Sequence, residues 1–178
     1  CRRRLEVETP IEVYVYPDSS FNAAAVRPEG GRLFMMLSSS LLEAFEPDEL
    51  RFVVGHEVGH HLFCHHDIPT GLLLRPGTSI DPGLALQLFS WQRYAEVSCD
   101  RAGLVCAGNM QSAARALFKL ASGLRGGRVE VRVDQFMQQM QDMADETHRL
   151  TQATANDHRA QGDWFATHPF SPLRLKAA

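Results

Sequence analysis

Hydrophobic and polar positions alternate over Ile11-Glu-Val-Tyr-Val-Tyr16 in β-branched and aromatic residues, the pattern of a strand. Pro17-Asp-Ser-Ser closes it with turn chemistry. Residues 21 to 26 are short and carry no decisive period. Glu29-Gly-Gly is a turn, Arg32 to Leu37 reads as a second strand, and Gly30 and Gly31 suggest a hairpin-like connection. From Ser38 the period changes. A short helix is expected at 39–45, and Glu46-Pro-Asp-Glu opens a second that runs to about His66, before Pro69 and Gly71. Residues 67–81 read as a loop, part of a substrate cleft. Asp81-Pro82 starts a long helix to about Ala107, closed by Gly108, and Asn109 caps another to about Leu124. Beyond the break at Gly123–Gly127, Phe136, Met137, Met140 and Met143 recur at helical spacing over 134–150, a packing face. The polar stretch 151–163 predicts a mobile loop, and Ser171-Pro172 a last helix. There is no internal repeat. The expected fold is α+β and mainly helical, a single domain over 1–178 with a small N-terminal β-sheet over the helix that carries His56.

Composition narrows the function classes. Of 178 residues, 44% are hydrophobic and 22% charged, as in soluble globular domains, and the net charge is −3 with no basic stripe, which argues against a nucleic-acid partner. No run approaches the ~18 apolar residues of a membrane span. Cys1-Arg-Arg-Arg followed by Leu5-Glu-Val-Glu does not read as a signal peptide, and a chain starting at Cys reads as a fragment or processed form of a longer one. The four cysteines lack Cys-x-x-Cys spacing; Cys99 and Cys106, seven apart, share a helix face and read as small core residues. A reducing, cytoplasmic setting is therefore favoured, with membrane association left to flanking sequence.

The chemistry concentrates in His56-Glu57-Val58-Gly59-His60. Residues four apart on a helix are rotated by ~40° and raised by ~6 Å, so two imidazoles reach one zinc ion from the same face. Glu57 stands beside the first ligand, placed to act as general base on a water. The pattern lies in an apolar segment, Phe52-Val-Val before it and Leu62-Phe after it, and Gly59 leaves room for a neighbouring helix. The competing reading is a buried helix whose histidines satisfy one another. A catalytic zinc needs a third protein ligand. Glu96 on the next long helix is the candidate, with Asp100 one turn later to accept from the second ring nitrogen of a ligand histidine; alternatively the pair is a solvated acidic face. His61, Cys64, His65 and His66 form a further cluster; the face of His61 and His65 is rotated ~100° from the first pair, and it is either a second metal site or, the favoured reading, a polar helix end. Trp91, Phe89 and Leu88 read as core.

With Glu96-x-x-x-Asp100 and Thr167-His168-Pro169 followed by Arg174, these blocks resemble the membrane-associated zinc metallopeptidases, the gluzincins that include the CAAX prenyl endopeptidase and the heat-shock protease HtpX. Asn22-Ala-Ala-Ala and Gly30-Gly-Arg-Leu-Phe resemble that family's Asn-Ala-Phe-Ala segment and edge strand. The resemblance spans about residues 11 to 175 and fades between 125 and 163. It implies a zincin-like fold, Glu96 as third zinc ligand, Asp100 as the residue behind a ligand, His168 on the oxyanion and Arg174 orienting the site. It further implies that the strand with Arg32, Leu33, Phe34 and Met35 pairs with an extended substrate. Pro169 by itself biases His168 toward extended backbone, where a fixed imidazole can donate to an oxyanion. Cys99 stands where the family often has alanine, and the transmembrane helices of many members have no counterpart here.

The resulting expectation is a metalloendopeptidase with one zinc per chain acting on protein or peptide. The alternatives are a zinc-stabilised binding module, non-catalytic or latent, with residues 67–81 or 151–165 filling the cleft, and a redox or metal-storage protein using Cys64, Cys99 and the extra histidines His61, His65 and His66.

Overall fold

Three strands, β1 (Ile11–Tyr16), β2 (Ala23–Glu29) and β3 (Arg32–Ser38), form a sheet in the order β1-β3-β2. The structure is a computed structural model and describes residues 1–75 and 77–125 together with Arg132, Gln135 and Gln138. β2 and β3 are antiparallel, from Ala23↔Leu37 to Glu29↔Arg32, and turn at Gly30 and Gly31, whose φ values of 59° and 73° suit glycine. β1 runs parallel to β3, from Ile11↔Leu33 to Tyr16↔Ser38. Segment 21–26, ambiguous in sequence, supplies β2. Its alanines carry little strand propensity, and pairing with β3 decides the matter.

The position of β3 corrects one expectation. Leu33, Phe34 and Met35 lie on the central strand, paired with β1 on one side and flanked by β2 on the other, and Arg32 at its start pairs with Glu29, so this run is not the sheet edge expected for a substrate. Leu33 and Met35 turn inward, fully buried with Leu37 and Val58. The strand with a second, outer edge toward the helices is β2.

Among the described residues five α-helices follow. α1 (Ser39–Ala44) is capped by Ser38, whose side chain accepts from the Leu41 N–H. α2 (Pro47–Leu62) opens with a reciprocal capping box of Glu46 and Glu49 and a first-turn proline. It ends before the expected His66: Phe63 bonds back to Gly59, and Cys64 takes a left-handed conformation at φ 56°. That reversal begins a single 3-10 turn over His65–Asp67 and a short α3 (Thr70–Leu73), so 67–81 holds a helical turn inside the predicted loop. α4 (Pro82–Ala107) is capped by Asp81 and closed by Gly108; α5 (Met110–Ser122) is capped by Asn109 and closed by Gly123. Among the described residues no helix is long and apolar enough to cross a membrane.

α2 is the central helix. Val54 and Val58 meet the sheet, while Phe52 and Val53 pack on Ala113, Ala114, Ala116 and Leu117 of α5. Buried Glu49 ties α2 to α5, taking Arg115 Nε at 3.0 Å and Lys119 Nζ at 2.6 Å. Burial pushes its carboxyl upward, but Lys119, the Glu46 N–H and Arg115 outweigh it and hold the pKa below the usual value. The closest contact is between α2 and α4, where glycine replaces side chain. A Cβ on Gly55 would stand 2.6 Å from Cys106 Cβ, one on Gly59 3.1 Å from Cys99 Cα, and one on Gly103 2.7 Å from the Phe52 carbonyl. These absent side chains let the backbones of α2 and α4 approach closely. The expected helix over 134–150, the loop 151–163, the last helix at Ser171-Pro172, His168 and Arg174 lie outside the described residues.

Candidate metal centre

The α2–α4 crossing turns His56 and His60 onto Glu96. His56 Nε2 lies 3.5 Å from Glu96 Oε2, and His60 Nε2 lies 3.5 Å from Glu96 Oε1. Behind this, His56 Nδ1 and Asp100 Oδ1 are 2.9 Å apart. All but His60 are nearly withdrawn from water: His56 is 5% exposed, Glu96 4% and Asp100 0%. The helical periods explain the convergence, since His56 and His60 are one turn apart on α2 and Glu96 and Asp100 one turn apart on α4.

Glu57, also buried, points to the sheet side, where its Oε2 accepts from the Ala25 N–H at 2.9 Å. The Ser38 N–H bonds to the Asn22 carbonyl, so in the antiparallel alternation Ala24 and Val26 exchange hydrogen bonds with β3 while Ala23 and Ala25 turn theirs outward. The outer edge of β2 therefore faces Glu57. Between that edge and α4 lies a cleft of about 380 Å³, bordered by Ala23–Ala25, Glu57, His60, Ile68–Gly71 and Trp91. Gln92 on α4 donates to the Thr70 hydroxyl at 2.9 Å and holds the 68–71 wall in place.

Electrostatics set the two histidines apart. Burial pulls His56 down, but hydrogen bonds to Asp100 and Glu96 and the nearby charge of Glu57 more than offset it, lifting its pKa to about 9. Burial and the positive charge of His56 push His60 down to about 3, against the attraction of Glu96. Three buried carboxylates around two imidazoles thus draw in one positive charge and resist a second on the same rings. A dense set of nitrogen and carboxylate donors that attracts positive charge is what a divalent cation fits.

A further donor, which the sequence offered only under the metal-storage alternative, stands beside the two histidines. Cys99 Sγ lies with one ligand atom each of His56 and His60 inside a 4.8 Å cluster. Cys99 is fully buried against Gly59, and its sulfur is 3.4 Å from His65 Nδ1, which in turn is 3.2 Å from His60 Nδ1. The thiol contacts the ring of His65 that meets His60 Nδ1, whereas Nε2 of both His56 and His60 faces Glu96. We take Glu96 as the third ligand candidate, because its two oxygens meet both Nε2 atoms. Cys99 is three residues from Glu96, a spacing that puts both on one helix face. His65, by contrast, reads in sequence as the end of α2, and only the reversal at Cys64 folds it back on His60.

Comparison with known proteins decides the family. The model of peptidase family M48 matches residues 3–76 and 77–178. The chain belongs to peptidase family M48. It is 33% identical over 145 residues to the plastoglobule-localized metallopeptidase 48, chloroplastic, of Arabidopsis thaliana, an alignment covering 76% of this chain and 42% of that protein. The chain thus spans less than half the length of this relative. No solved structure matches it significantly. The resemblance to metallopeptidases drawn from the His-Glu-x-x-His block is shown, and the helices with a small sheet are the mixed α and β architecture expected of such a domain.

Proposed function

We propose that this chain is a zinc-dependent metalloendopeptidase domain in which His56, His60 and Glu96 hold one zinc ion and Glu57 is the general base. The observation that carries the proposal is the approach of both Nε2 atoms to the two oxygens of one buried carboxylate, at 3.5 Å each. Zinc bound there would supply a Lewis acid that acidifies water and polarises a peptide carbonyl.

The remaining steps belong to the chain's own residues. Asp100 accepts from His56 Nδ1–H and so presents the other ring nitrogen to the metal side. The Ala25 amide holds Glu57 Oε2 and fixes the carboxylate at the cleft. Glu57 takes a proton from the attacking water and later delivers it to the leaving amine. An extended protein or peptide substrate lies along the outer edge of β2, which takes the place first assigned to Arg32–Met35. His168 stabilises the oxyanion and Arg174 orients the site, as the family resemblance implies.

The test is zinc content per chain with cleavage of casein, on wild type and Glu57→Gln. The expected result is one zinc in each protein and a loss of cleavage of ~10²–10⁴-fold in the variant. Zinc in both with cleavage in neither would instead favour the latent or purely binding module.

A further inference from the structure

Among the described residues, the group that meets His60 Nδ1 is not a carboxylate. Where His56 Nδ1 meets Asp100, His60 Nδ1 meets another imidazole, His65 Nδ1, at 3.2 Å. Either ring could be the donor in isolation, and the rest of the chain of contacts removes the choice. Ser98 Oγ lies 2.7 Å from the Ala95 carbonyl, which only accepts, so the single hydroxyl hydrogen is spent there. The lone pairs of Ser98 Oγ then face His65 Nε2 at 3.5 Å, which places the His65 proton on Nε2 and leaves Nδ1 an acceptor. His60 must supply the hydrogen between the two Nδ1 atoms. With its proton on Nδ1, its Nε2 carries a lone pair, and that is the atom 3.5 Å from Glu96 Oε1. Cys99 Sγ, 3.4 Å from His65 Nδ1, is a weaker donor that shares the same lone pair with the nearer His60 N–H.

The backbone is shaped for this contact. Cys64 adopts φ 56°, a conformation that costs a non-glycine residue, and the reversal returns His65 to the ring it follows by five positions. Trp91 holds His65 edge to face at 5.4 Å, and Phe63 borders it at 5.7 Å.

We propose that His65 is the positioning residue for His60: through the relay Ala95–Ser98–His65 it sets the tautomer that turns the His60 Nε2 lone pair toward the metal, as Asp100 does for His56. The inference rests on the reading of His60 as a zinc ligand. It concerns how α4 controls both ligands of α2, one through a carboxylate and one through a neutral ring.

Two variants separate orientation from packing. His65→Phe keeps the ring against Trp91 and removes the acceptor. His65→Asn loses the ring but keeps an oxygen near the position of Nδ1. Zinc affinity, measured by competition with a chromophoric chelator on the full chain, is expected to fall ~10–100-fold in His65→Phe and to stay near wild type in His65→Asn. Nitrogen-15 spectra of the zinc-loaded wild type should show the His65 proton on Nε2 and the His60 proton on Nδ1, a readout that needs no variant to fold. Wild-type affinity in His65→Phe, a weaker His65→Asn than His65→Phe, or a His65 proton on Nδ1 would each overturn the role of His65 alone. A wild type that binds no zinc would overturn the metal site and this role with it.

Discussion

His56 and His60 stand one turn apart on the same face of α2 and reach for the same carboxylate, yet their surroundings are opposite. His56 is backed by an anion fully buried in α4 and is lifted to about 9; His60 is backed by a neutral imidazole and pushed to about 3. Both environments aim Nε2 at Glu96. The lesson is that orientation and charge are separable: an imidazole is aimed by any acceptor behind it, whereas its affinity for a proton depends on whether that acceptor is charged. One anionic partner offsets a cation without overloading the pocket, and a second would add another buried carboxylate to a site that already holds three.

The largest expected break in this symmetry is in stability. His56→Ala leaves Asp100 and Glu96 buried without their cationic partner and should cost ~3–5 kcal/mol in urea unfolding of chelator-stripped protein. His60→Ala removes a neutral ring and should cost nearer ~1 kcal/mol. Equal losses would mean that the two sites are not electrostatically distinct.

Next in size is the pH response of the stripped protein. His56 has a folded pKa above the ordinary 6.5, so its contribution is complete below pH 6.5 and is lost as pH rises through about 9. His60 has a depressed pKa, so its contribution is present above pH 6.5 and is lost as pH falls toward about 3. Thermal melts between pH 5 and pH 10 should therefore show an alkaline decline that Asp100→Ala reduces. An alkaline limb unchanged in that variant would remove Asp100 as the source of the shift.

The smallest effect concerns the glycine before each histidine. Gly55→Ala forces a Cβ to 2.6 Å from Cys106 Cβ, while Gly59→Ala meets Cys99 Cα at 3.1 Å. Overpacking at Gly55 should cost ~1–3 kcal/mol and Gly59→Ala less, but Gly59→Ala should weaken zinc binding more, because it displaces Cys99 and with it the ring behind His60. Melting temperature and chelator competition on the two variants read the two orders.

The facing of the candidate site's residues was legible from spacing alone. A separation of four residues places His56 with His60, and Glu96 with Asp100, on common helix faces whatever the rest of the fold does. The caps at Glu46, Asp81 and Asn109 and the stops at Gly108 and Gly123 are local chemistry and stand where their residue types place them. Strand β2 was harder, because alanines at 23–25 have weak preference of their own and become a strand by pairing with β3. The end of α2 was misjudged for a similar reason: nothing local forbids helix at Cys64, and contacts of His65 with His60, Trp91 and Ser98 accompany the reversal there.

What the amino-acid sequence determined by itself is the set of periodic faces: which side chains a helix presents together, where helices begin and stop, and hence the donor types on offer. Only the tertiary structure decided which face meets which. The order β1-β3-β2 left the edge of β2, rather than β3, beside Glu57, and the reversal at Cys64 set His65 behind His60. Such contacts join residues far apart in the chain or across a turn of unusual backbone, and their energies appear only when the packed partners are in place.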